Sequence, residues 1–520
     1  MERSDLIPLS FLNFVENQNF MKNWLTLLLL LLISSTGVTQ KSTEKILKKQ
    51  KKDFTIFKTS LFDLEANLFD HITEDSLEYY LNDLEEMVSE KILDDKTLYK
   101  AYSKILVKIQ SGHTNLQPTS ETYKYWVYEK NSLPMDVVMV GKKLFTHSDY
   151  SLLKEEEMKK LSGREKKENF IPKFTEIYSI DGKTIPEIME EISPYLSSDY
   201  NDINFKYFLV KDLFEFYRNL TLSEDKSSVE VQFLDKRDTL TKIIAVGYPP
   251  VEDINKRLKE NKKKKVKRSE RFGTFEIESS KYAYFRFPSF EKSKGRQYKK
   301  FLEESFETIE KKEVKNLVVD LRDNTGGFVQ YEFLSYLFLE KKADTLGQFI
   351  IAKQDKPTYN RYVTKNDHYR KLKRLKRKRR RFNKKSGNDD FGSTILYEYL
   401  GRRKSFAGKI IVITNEATFS AASMLAADLK HLYGAKIIGS NAGGSFYKGA
   451  TGNISVELPH SGFVITYNPV YYRSSYTHYD SEIATPDVQF VPEFKDPKKD
   501  EKNNQKAIMK LIKQEFRKRD

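Results

Sequence analysis

Residues 408–439 read GKIIVITNEATFSAASMLAADLKHLYGAKIIG, and this stretch decides the fold. The apolar run KIIVIT (409–414) is typical of a buried strand, and the residues from about 420 to 433 are typical of a helix that Gly434 ends. AKIIG (435–439) then indicates a second buried strand. Because parallel strands need a crossover connection, strand, helix and strand in this order predict a parallel sheet covered by helices.

The same alternation extends toward the N-terminus. KYAYFRF (281–287) predicts a strand, a charged helix is expected near 296–312, and NLVVDL (316–321) is a further buried strand, with a helix after Gly327. We therefore predict an α/β domain within a larger α+β multidomain chain.

Two other regions precede this domain. Residues 42–110 show apolar residues at helical spacing without Pro or Gly before the end, which predicts an N-terminal helical region. From about 121 to 250 the pattern becomes short and alternating, with a turn signal at Asp181-Gly182, and predicts a mostly β module. The predicted divisions are a signal region (1–40), a helical region (41–120), a β-rich module (121–252), a basic linker (253–270), an α/β domain (271–498) with a basic insertion (364–392), and a charged C-terminal helix (499–520).

Composition narrows the chemistry. The chain has 520 residues, of which 13% are aromatic, so most of it is expected to fold into several packed domains. It has no cysteine, which excludes disulfides, thiolate metal sites and a cysteine nucleophile. Any covalent catalysis must therefore use oxygen or nitrogen.

The net charge of +16 comes from two short segments of the chain. Residues 370–385 hold 12 Lys or Arg and no acid, and residues 259–268 hold seven basic residues and one Glu, so these two runs exceed the net charge of the chain. The remaining residues are close to neutral, and such runs are usually solvated loops. Nucleic-acid binding is disfavoured because only Tyr369 and Phe382 accompany the larger run. Contact with an acidic surface or with membrane headgroups stays open.

The N-terminus resembles an export signal. From Met21 the chain reads MKNWLTLLLLLLISSTGVTQ, in which a lysine, an apolar run from Trp24 to Ile33 and small polar residues follow one another. This order is typical of a secretory signal peptide, and the run is too short to span a bilayer core of about 30 Å. We interpret Met21 as the true start, and we expect a secreted protein of the periplasm or cell envelope.

Two segments carry candidate chemistry. Ser420 begins the predicted helix, where unpaired backbone N–H groups can stabilise an oxyanion, although a serine there is more commonly an N-cap. NLVVDLRDNTGG (316–327) runs from a buried strand into Gly326-Gly327, and glycines at the carboxyl edge of a parallel sheet let backbone amides approach a ligand closely.

Together these segments resemble the C-terminal-processing (tail-specific) serine peptidases, which carry a DLR-x-N-x-GG strand and a SAS-A nucleophile segment. The resemblance covers roughly 270–492 and implies a catalytic domain of the processing-peptidase or crotonase-like type. By position, Ser420 matches the nucleophile, and the backbone of Gly327 or Gly326 with that of Ala421 matches the oxyanion hole. A PDZ-like module is also implied, and EIYSIDGKTIPEIMEEI (176–192) is similar to its strand, turn and helix.

The residue at the position of the general base differs from that of the processing peptidases. Their lysine falls 25 residues after the nucleophile, where this chain has Ser445, and the nearby Lys448 is more typical of a surface charge. Upstream, KILVKIQSGHTNL (104–116) resembles the tricorn-core branch of the family, in which a histidine is the base. That resemblance implies His113 as the base.

In the same branch, an acidic residue near the C-terminus orients the histidine. HYDSEIATPDV (478–488) offers Asp480, which the spacing favours, and Glu482 as the alternative.

The resemblance implies a serine endopeptidase that cleaves unfolded or extended polypeptides through an acyl-enzyme, without a metal or organic cofactor. The alternative is a non-catalytic protein that binds peptides or hydrophobic ligands on the same fold. The oligomeric state stays open. If the peptidase hypothesis holds, folding must bring His113 within hydrogen-bond reach of Ser420, from which 307 residues separate it.

Overall fold

The structure is a computed structural model. It describes residues 42–128, 132–224, 226–235, 238–246, 273–278, 282–290, 295–327, 330–337, 347–352, 359–364, 373–374, 377, 380–381, 395–396, 406–474, 485–494 and 497–518. The predicted signal region, the basic linker and most of the basic insertion lie outside these residues. None of the described helices is long and apolar enough to cross a membrane.

A central sheet forms the core of the C-terminal half. Its first two strands are antiparallel and the others run parallel, as the alternation of strands and helices predicts. In spatial order the strands are Thr274–Glu278, Tyr282–Arg286, Asn316–Asp320, Lys409–Thr414, Lys436–Gly439 and Val488–Gln489.

Helices cover both faces of this sheet. Leu317 and Val319 pack in the cluster that includes the helices Gly295–Lys311 and Ala421–Tyr433. Val318, between them, points to the opposite face and packs with the C-terminal helix Pro497–Arg517. This alternation is the period of two that a strand buried on both faces requires, and it accounts for the continuous apolar run NLVVD. The short helix Gln330–Leu334 adds to the first face.

The N-terminal helices pack against a hairpin that lies far along the chain. These helices are 42–64, Glu74–Glu90 and Asp95–Lys108. The strand Asn115–Gln117 that follows them pairs with Val464–Tyr467, which in turn pairs with Ile454–Glu457.

The buried carboxylate of Asp53, in the helix 42–64, binds the hairpin to the N-terminal helices. It accepts the backbone N–H groups of His460 and Ser461 at 2.9 and 2.8 Å, in the turn between the two hairpin strands. Buried aliphatic side chains from both regions share one core, so the helical region and the hairpin form a single packed unit.

The β-rich module contains more helix than its sequence predicts. Its sheet consists of Val137–Val140, Lys143–Thr146, Glu176–Ile180 with Lys183–Thr184, Ser228–Asp235 and Asp238–Ala245. Between these strands lie a short pair, Tyr150–Ser151 with Phe170–Ile171, and the helices Glu155–Lys160, Gly163–Glu168, Ile185–Ile192, Ile203–Leu209 and Phe214–Thr221, after Ser120–Tyr128. Single-turn helices occupy Ser193–Tyr195, Asp199–Asn201 and Asn360–Tyr362. The module thus has the predicted sheet together with additional helices, of which Ile203–Leu209 and Phe214–Thr221 bury Phe and Tyr side chains.

A further antiparallel sheet lies beside the helix Ala421–Tyr433, which directly follows Ser420 and is called the serine helix below. Its strands, in spatial order, are Ile395–Leu396, Gly347–Ile351, Val470–Ser474 and Lys448–Thr451. Lys448 thus begins a strand instead of lying in an open loop.

The central sheet depends on a cluster of aromatic side chains around Phe285, which is fully buried. Its ring lies 5.6 Å from that of Phe306 and 5.5 Å from that of Phe333. We expect Phe285→Ala to lower the free energy of unfolding by about 3–5 kcal/mol, because a large buried ring leaves a cavity. Chemical denaturation measures the change. Tyr79→Ala, at a ring that is 64% exposed, is the matched control and should change stability by less than about 0.5 kcal/mol.

Candidate active site

Ser420 has an unusual backbone conformation, with φ 55° and ψ −124°. A non-glycine residue in this region costs on the order of 1–3 kcal/mol and persists only when its surroundings impose it. Two hydrogen bonds do so: the Thr418 hydroxyl donates to the carbonyl of Leu321 at 2.9 Å, and the Phe419 N–H donates to the carbonyl of Asn324 at 3.0 Å. The loop before Ser420 is thus bound to the loop that ends the neighbouring strand.

The interpretation of Ser420 as a side-chain N-cap is wrong. Ser420 occupies the N-cap position of the helix Ala421–Tyr433, but its hydroxyl makes no cap hydrogen bond. N-cap residues are normally extended, as Thr73 is in this protein, with φ −73° and a side chain that accepts the N–H of Ser76. The positive φ of Ser420 removes that geometry and leaves the hydroxyl for another partner.

Two glycines lie against the backbone of Ser420. A Cβ on Gly326 would lie 2.8 Å from Ser420 Cβ and 2.9 Å from the nitrogen of Ala421. A Cβ on Gly444 would lie 2.7 Å from the nitrogen of Ser420. Both contacts are shorter than a carbon atom tolerates, so glycine is required at both positions to bring three loops together.

His113 lies at the hydroxyl of Ser420. Its Nε2 is 2.9 Å from Ser420 Oγ, which agrees with the distance expected from the sequence. The imidazole packs on the ring of Phe419, with 4.5 Å between ring centroids. The residue comes from the turn between the helix Asp95–Lys108 and the strand Asn115–Gln117.

The environment of His113 favours the neutral imidazole. Burial lowers its pKa below the usual value, and the negative charge of Asp199 opposes this by favouring the protonated form. A neutral imidazole near pH 7 can accept a proton from a hydroxyl, which is the requirement for a general base.

Thr114, the residue after His113, anchors the turn in the core. Its hydroxyl donates to the carboxyl of Glu65 at 2.7 Å and accepts from the amide of Asn468 at 3.1 Å. Burial raises the pKa of Glu65 to about 8, so its carboxyl is largely protonated at neutral pH and adds little charge near the imidazole. The sequence analysis did not identify this network, because its three members are distant in the chain.

The predicted oxyanion donors differ in their hydrogen bonds. The N–H of Gly326 donates to Asn324 Oδ1 at 2.9 Å, so this amide has a partner within the turn. The carbonyl of Gly326 accepts from the N–H of Phe290 at 3.0 Å, which fixes the turn before Gly327. Ala421 is the first residue of its helix, where an N–H has no partner within the helix.

Ser445, which occupies the lysine position of the processing peptidases, shapes its loop. Its hydroxyl accepts the N–H groups of Tyr447 and Lys448, both at 3.1 Å. The side chain of Lys448 is only 18% exposed, with its amine 3.4 Å from Asp70 and above the ring of Tyr200. The expectation that Lys448 is a surface charge was wrong, because the strand that it begins faces a pocket.

Asp199 joins the loops that carry His113 and Ser445. Its carboxylate accepts the N–H of Gly112 at 2.7 Å and the N–H of Ser445 at 3.0 Å. The sequence analysis missed this residue. Its only signal was the polar stretch Ser197–Asp202 after a helix, which is equally typical of an ordinary turn.

A small pocket of about 10 Å³, enough for about one water molecule, adjoins His113. It is lined by His71, His113, Asp199, Tyr200, Ser445 and Lys448, among others. Within the described residues, no group of three or more His, Asp or Glu side chains is arranged to hold a metal ion. Asp480 and Glu482, the predicted acidic partners of His113, lie outside the described residues.

Comparison with known proteins finds a family match for the region that carries Ser420. Residues 281–490 match Peptidase family S41. Comparison with curated protein sequences gives no significant match.

The solved structures of mature CPAF share the fold. The crystal structure of mature CPAF is 13% identical, with 90% of this chain and 98% of that chain covered and a TM-score of 0.57. The structure of mature CPAF complexed with lactacystin is 14% identical, with 90% and 99% covered and a TM-score of 0.58. The photosystem II D1 C-terminal processing protease is 16% identical, with 86% and 94% covered and a TM-score of 0.38.

The family match includes both the strand that ends at Gly326-Gly327 and the segment that carries Ser420. Residues 281–490 thus form a domain similar to Peptidase family S41, and the protein is a serine-type peptidase.

Proposed function

We propose that the protein is an endopeptidase that cleaves unfolded or extended polypeptides, with Ser420 as nucleophile and His113 as general base. The observation that carries the proposal is the 2.9 Å distance between His113 Nε2 and Ser420 Oγ, across 307 residues of chain. The strained backbone of Ser420 supports it, because such strain is typical of functional residues and has no capping role here.

The reaction proceeds in two stages. His113 Nε2 takes the proton of Ser420 Oγ while Oγ bonds to the substrate carbonyl carbon, and the carbonyl oxygen becomes an oxyanion. The backbone N–H groups of Gly327 and Ala421 donate to that oxyanion. His113 then protonates the leaving amine as the C–N bond breaks. In the second stage, His113 takes a proton from a water whose oxygen bonds to the acyl carbon. It then gives that proton to Ser420 Oγ as the C–Oγ bond breaks and the carboxylic acid product leaves.

An acidic residue completes the site in this proposal. In this proposal Asp480, or Glu482 in its place, accepts the Nδ1–H of His113 and so keeps Nε2 unprotonated and available for Ser420. Such a carboxylate also stabilises the imidazolium that forms when the serine is deprotonated.

The β-rich module is proposed to act as a PDZ-like receptor for the substrate. Its strand Glu176–Ile180 and helix Ile185–Ile192 follow the order of the elements that hold an added peptide strand in such domains. The N-terminal signal pattern supports export, so the proposed site of action is the periplasm, the cell envelope or the exterior. A purely ligand-binding protein would require neither the strained Ser420 nor the imidazole beside it.

Ser420→Ala should abolish peptide hydrolysis, with a loss in kcat of about 10⁴-fold or more, because no other described group replaces the nucleophile. The hydroxyl makes no cap hydrogen bond, so the free energy of unfolding should change by less than about 0.5 kcal/mol. Hydrolysis of a fluorogenic peptide, labelling by a fluorophosphonate and thermal unfolding measure these effects. Retained hydrolysis by a folded Ser420→Ala protein would remove Ser420 as the nucleophile.

His113→Ala should reduce kcat nearly as far as Ser420→Ala, because the base is lost. Lys448→Ala should reduce kcat less than about tenfold, since the amine is paired with Asp70 and the base is elsewhere. Both variants are compared on the same peptide after a check of folding by circular dichroism. A deep loss in Lys448→Ala together with a mild effect in His113→Ala would instead indicate a Ser–Lys mechanism.

The rate should depend on pH through His113. Only the neutral imidazole accepts the serine proton, and burial lowers the pKa of His113 below its usual value of 6.5. We therefore expect kcat/KM to rise with pH through an acid limb whose midpoint lies below 6.5, and to be near its plateau at pH 7. A pH profile of kcat/KM measures the midpoint, and a midpoint well above 7 would contradict the assignment.

A further inference from the structure

We propose that Asp199 is a positioning residue of the active site: its carboxylate holds the loop of His113 against the loop of Ser445 and keeps a negative charge beside the imidazole. This inference rests on the proposed function, in which His113 is the general base. Asp199 belongs to the segment after the PDZ-like strand and helix, and it lies in neither of the loops that it connects.

The two hydrogen bonds of Asp199 are specific to a carboxylate. One oxygen accepts the N–H of Gly112 at 2.7 Å, directly before His113, and the other accepts the N–H of Ser445 at 3.0 Å. A carboxylate accepts with both oxygens, whereas an amide has one acceptor and one donor end. Hydrogen bonds to an ionised group are also stronger than those between neutral groups. Asn at this position can therefore keep only one of the two contacts.

The segment that carries Asp199 is itself fixed at the active site. Phe205, six residues later, stacks on Phe419 with 4.5 Å between ring centroids and 13° between ring planes. Phe419 precedes Ser420 and also packs against the imidazole of His113. A Cβ on Gly443 would lie 2.3 Å from the ring of Phe205, so the loop before Ser445 is equally close. Asp199 and Phe205 thus contact the loops of Ser420, of His113 and of Ser445.

The charge of Asp199 acts on the base as well as on the loops. Asp199 favours the protonated imidazole and raises the pKa of His113, against the larger effect of burial. When His113 accepts the serine proton, the imidazolium forms close to this fixed negative charge. The other titratable groups of the shared pocket are His71, Tyr200, Lys448 and Tyr471. Lys448 and Tyr471 both contact Asp70. These groups are unchanged in the variants below.

The experiment compares full-length Asp199→Asn, Asp199→Glu and wild type in peptide hydrolysis across pH. In Asp199→Asn we expect kcat to fall about 10- to 100-fold with little change in KM, because the imidazole and the serine lose their alignment. We also expect the acid limb of kcat/KM to move to lower pH, since the charge that favours the protonated imidazole is gone. Asp199→Glu keeps the charge, so its acid limb should stay near that of wild type although kcat falls.

Asp202→Asn is the matched control. Asp202 lies in the same segment, and one of its oxygens accepts the N–H of Asn204 at 2.9 Å. The side-chain oxygen of an Asn can accept the same N–H. This variant should keep kcat within about twofold of wild type and leave the acid limb in place. Thermal unfolding establishes that each protein is folded. The pH dependence of fluorophosphonate labelling gives a second measure of Ser420 reactivity that does not need turnover.

The outcomes separate this inference from the proposed function. If Ser420→Ala or His113→Ala keeps its activity, the proposed function itself fails. If both are inactive while folded Asp199→Asn has the kcat and acid limb of wild type, Asp199 is not a positioning residue. If kcat falls in Asp199→Asn but the acid limb stays in place in both hydrolysis and labelling, the charge of Asp199 has no effect on His113. Asp199 would then be a structural contact only. If Asp199→Asn does not fold, an acid limb in Asp199→Glu that differs from wild type overturns the inference.

Discussion

The constraint on which the site depends is the backbone of Ser420, which is held at a positive φ that an isolated serine avoids. The strain is imposed from outside the serine helix, by the hydrogen bonds to Leu321 and Asn324 and by the close approach of Gly326 and Gly444. Because parallel strands end at one edge of the sheet, the loops that follow them can meet there. The position of the hydroxyl is therefore a property of the whole sheet edge, and local helix capping has no part in it.

His113, the proposed base, reaches this edge from a different hydrophobic core. His113 follows the N-terminal helices, whose core includes the hairpin 454–467, and the buried contacts of Asp53 and Thr114 join the two. The hairpin follows the serine helix in the chain and returns to the N-terminal helices. The distance between His113 and Ser420 consequently depends on how the two cores pack against each other. The ring of Phe419 contacts both the imidazole of His113 and the ring of Phe205.

The sequence predicted the parts of the site that local patterns encode. The parallel sheet, the serine helix and Gly326-Gly327 follow from apolar periodicity and from glycine placement, and the family resemblance led to His113. Asp199, Glu65 and Asn468 were not predictable, because each acts through a contact across at least 49 residues and a buried Asp or Glu has no periodic signature. The N-cap interpretation of Ser420 failed for a related reason, since tertiary contacts override the local preference for an extended residue at that position.

The replacement of the family's lysine by Ser445 has a structural consequence that the sequence alone does not reveal. In the processing peptidases which this chain resembles, that loop supplies the base. Here the Ser445 hydroxyl accepts two N–H groups of its own loop, and the backbone of Ser445 donates to Asp199. The Ser445 loop therefore carries no lysine at this position. Its backbone is fixed by hydrogen bonds and is connected through Asp199 to the loop of His113. The proposed base comes from a distant region, so no covalent neighbour holds it at Ser420, and Asp199 accepts N–H groups from both the histidine loop and the Ser445 loop.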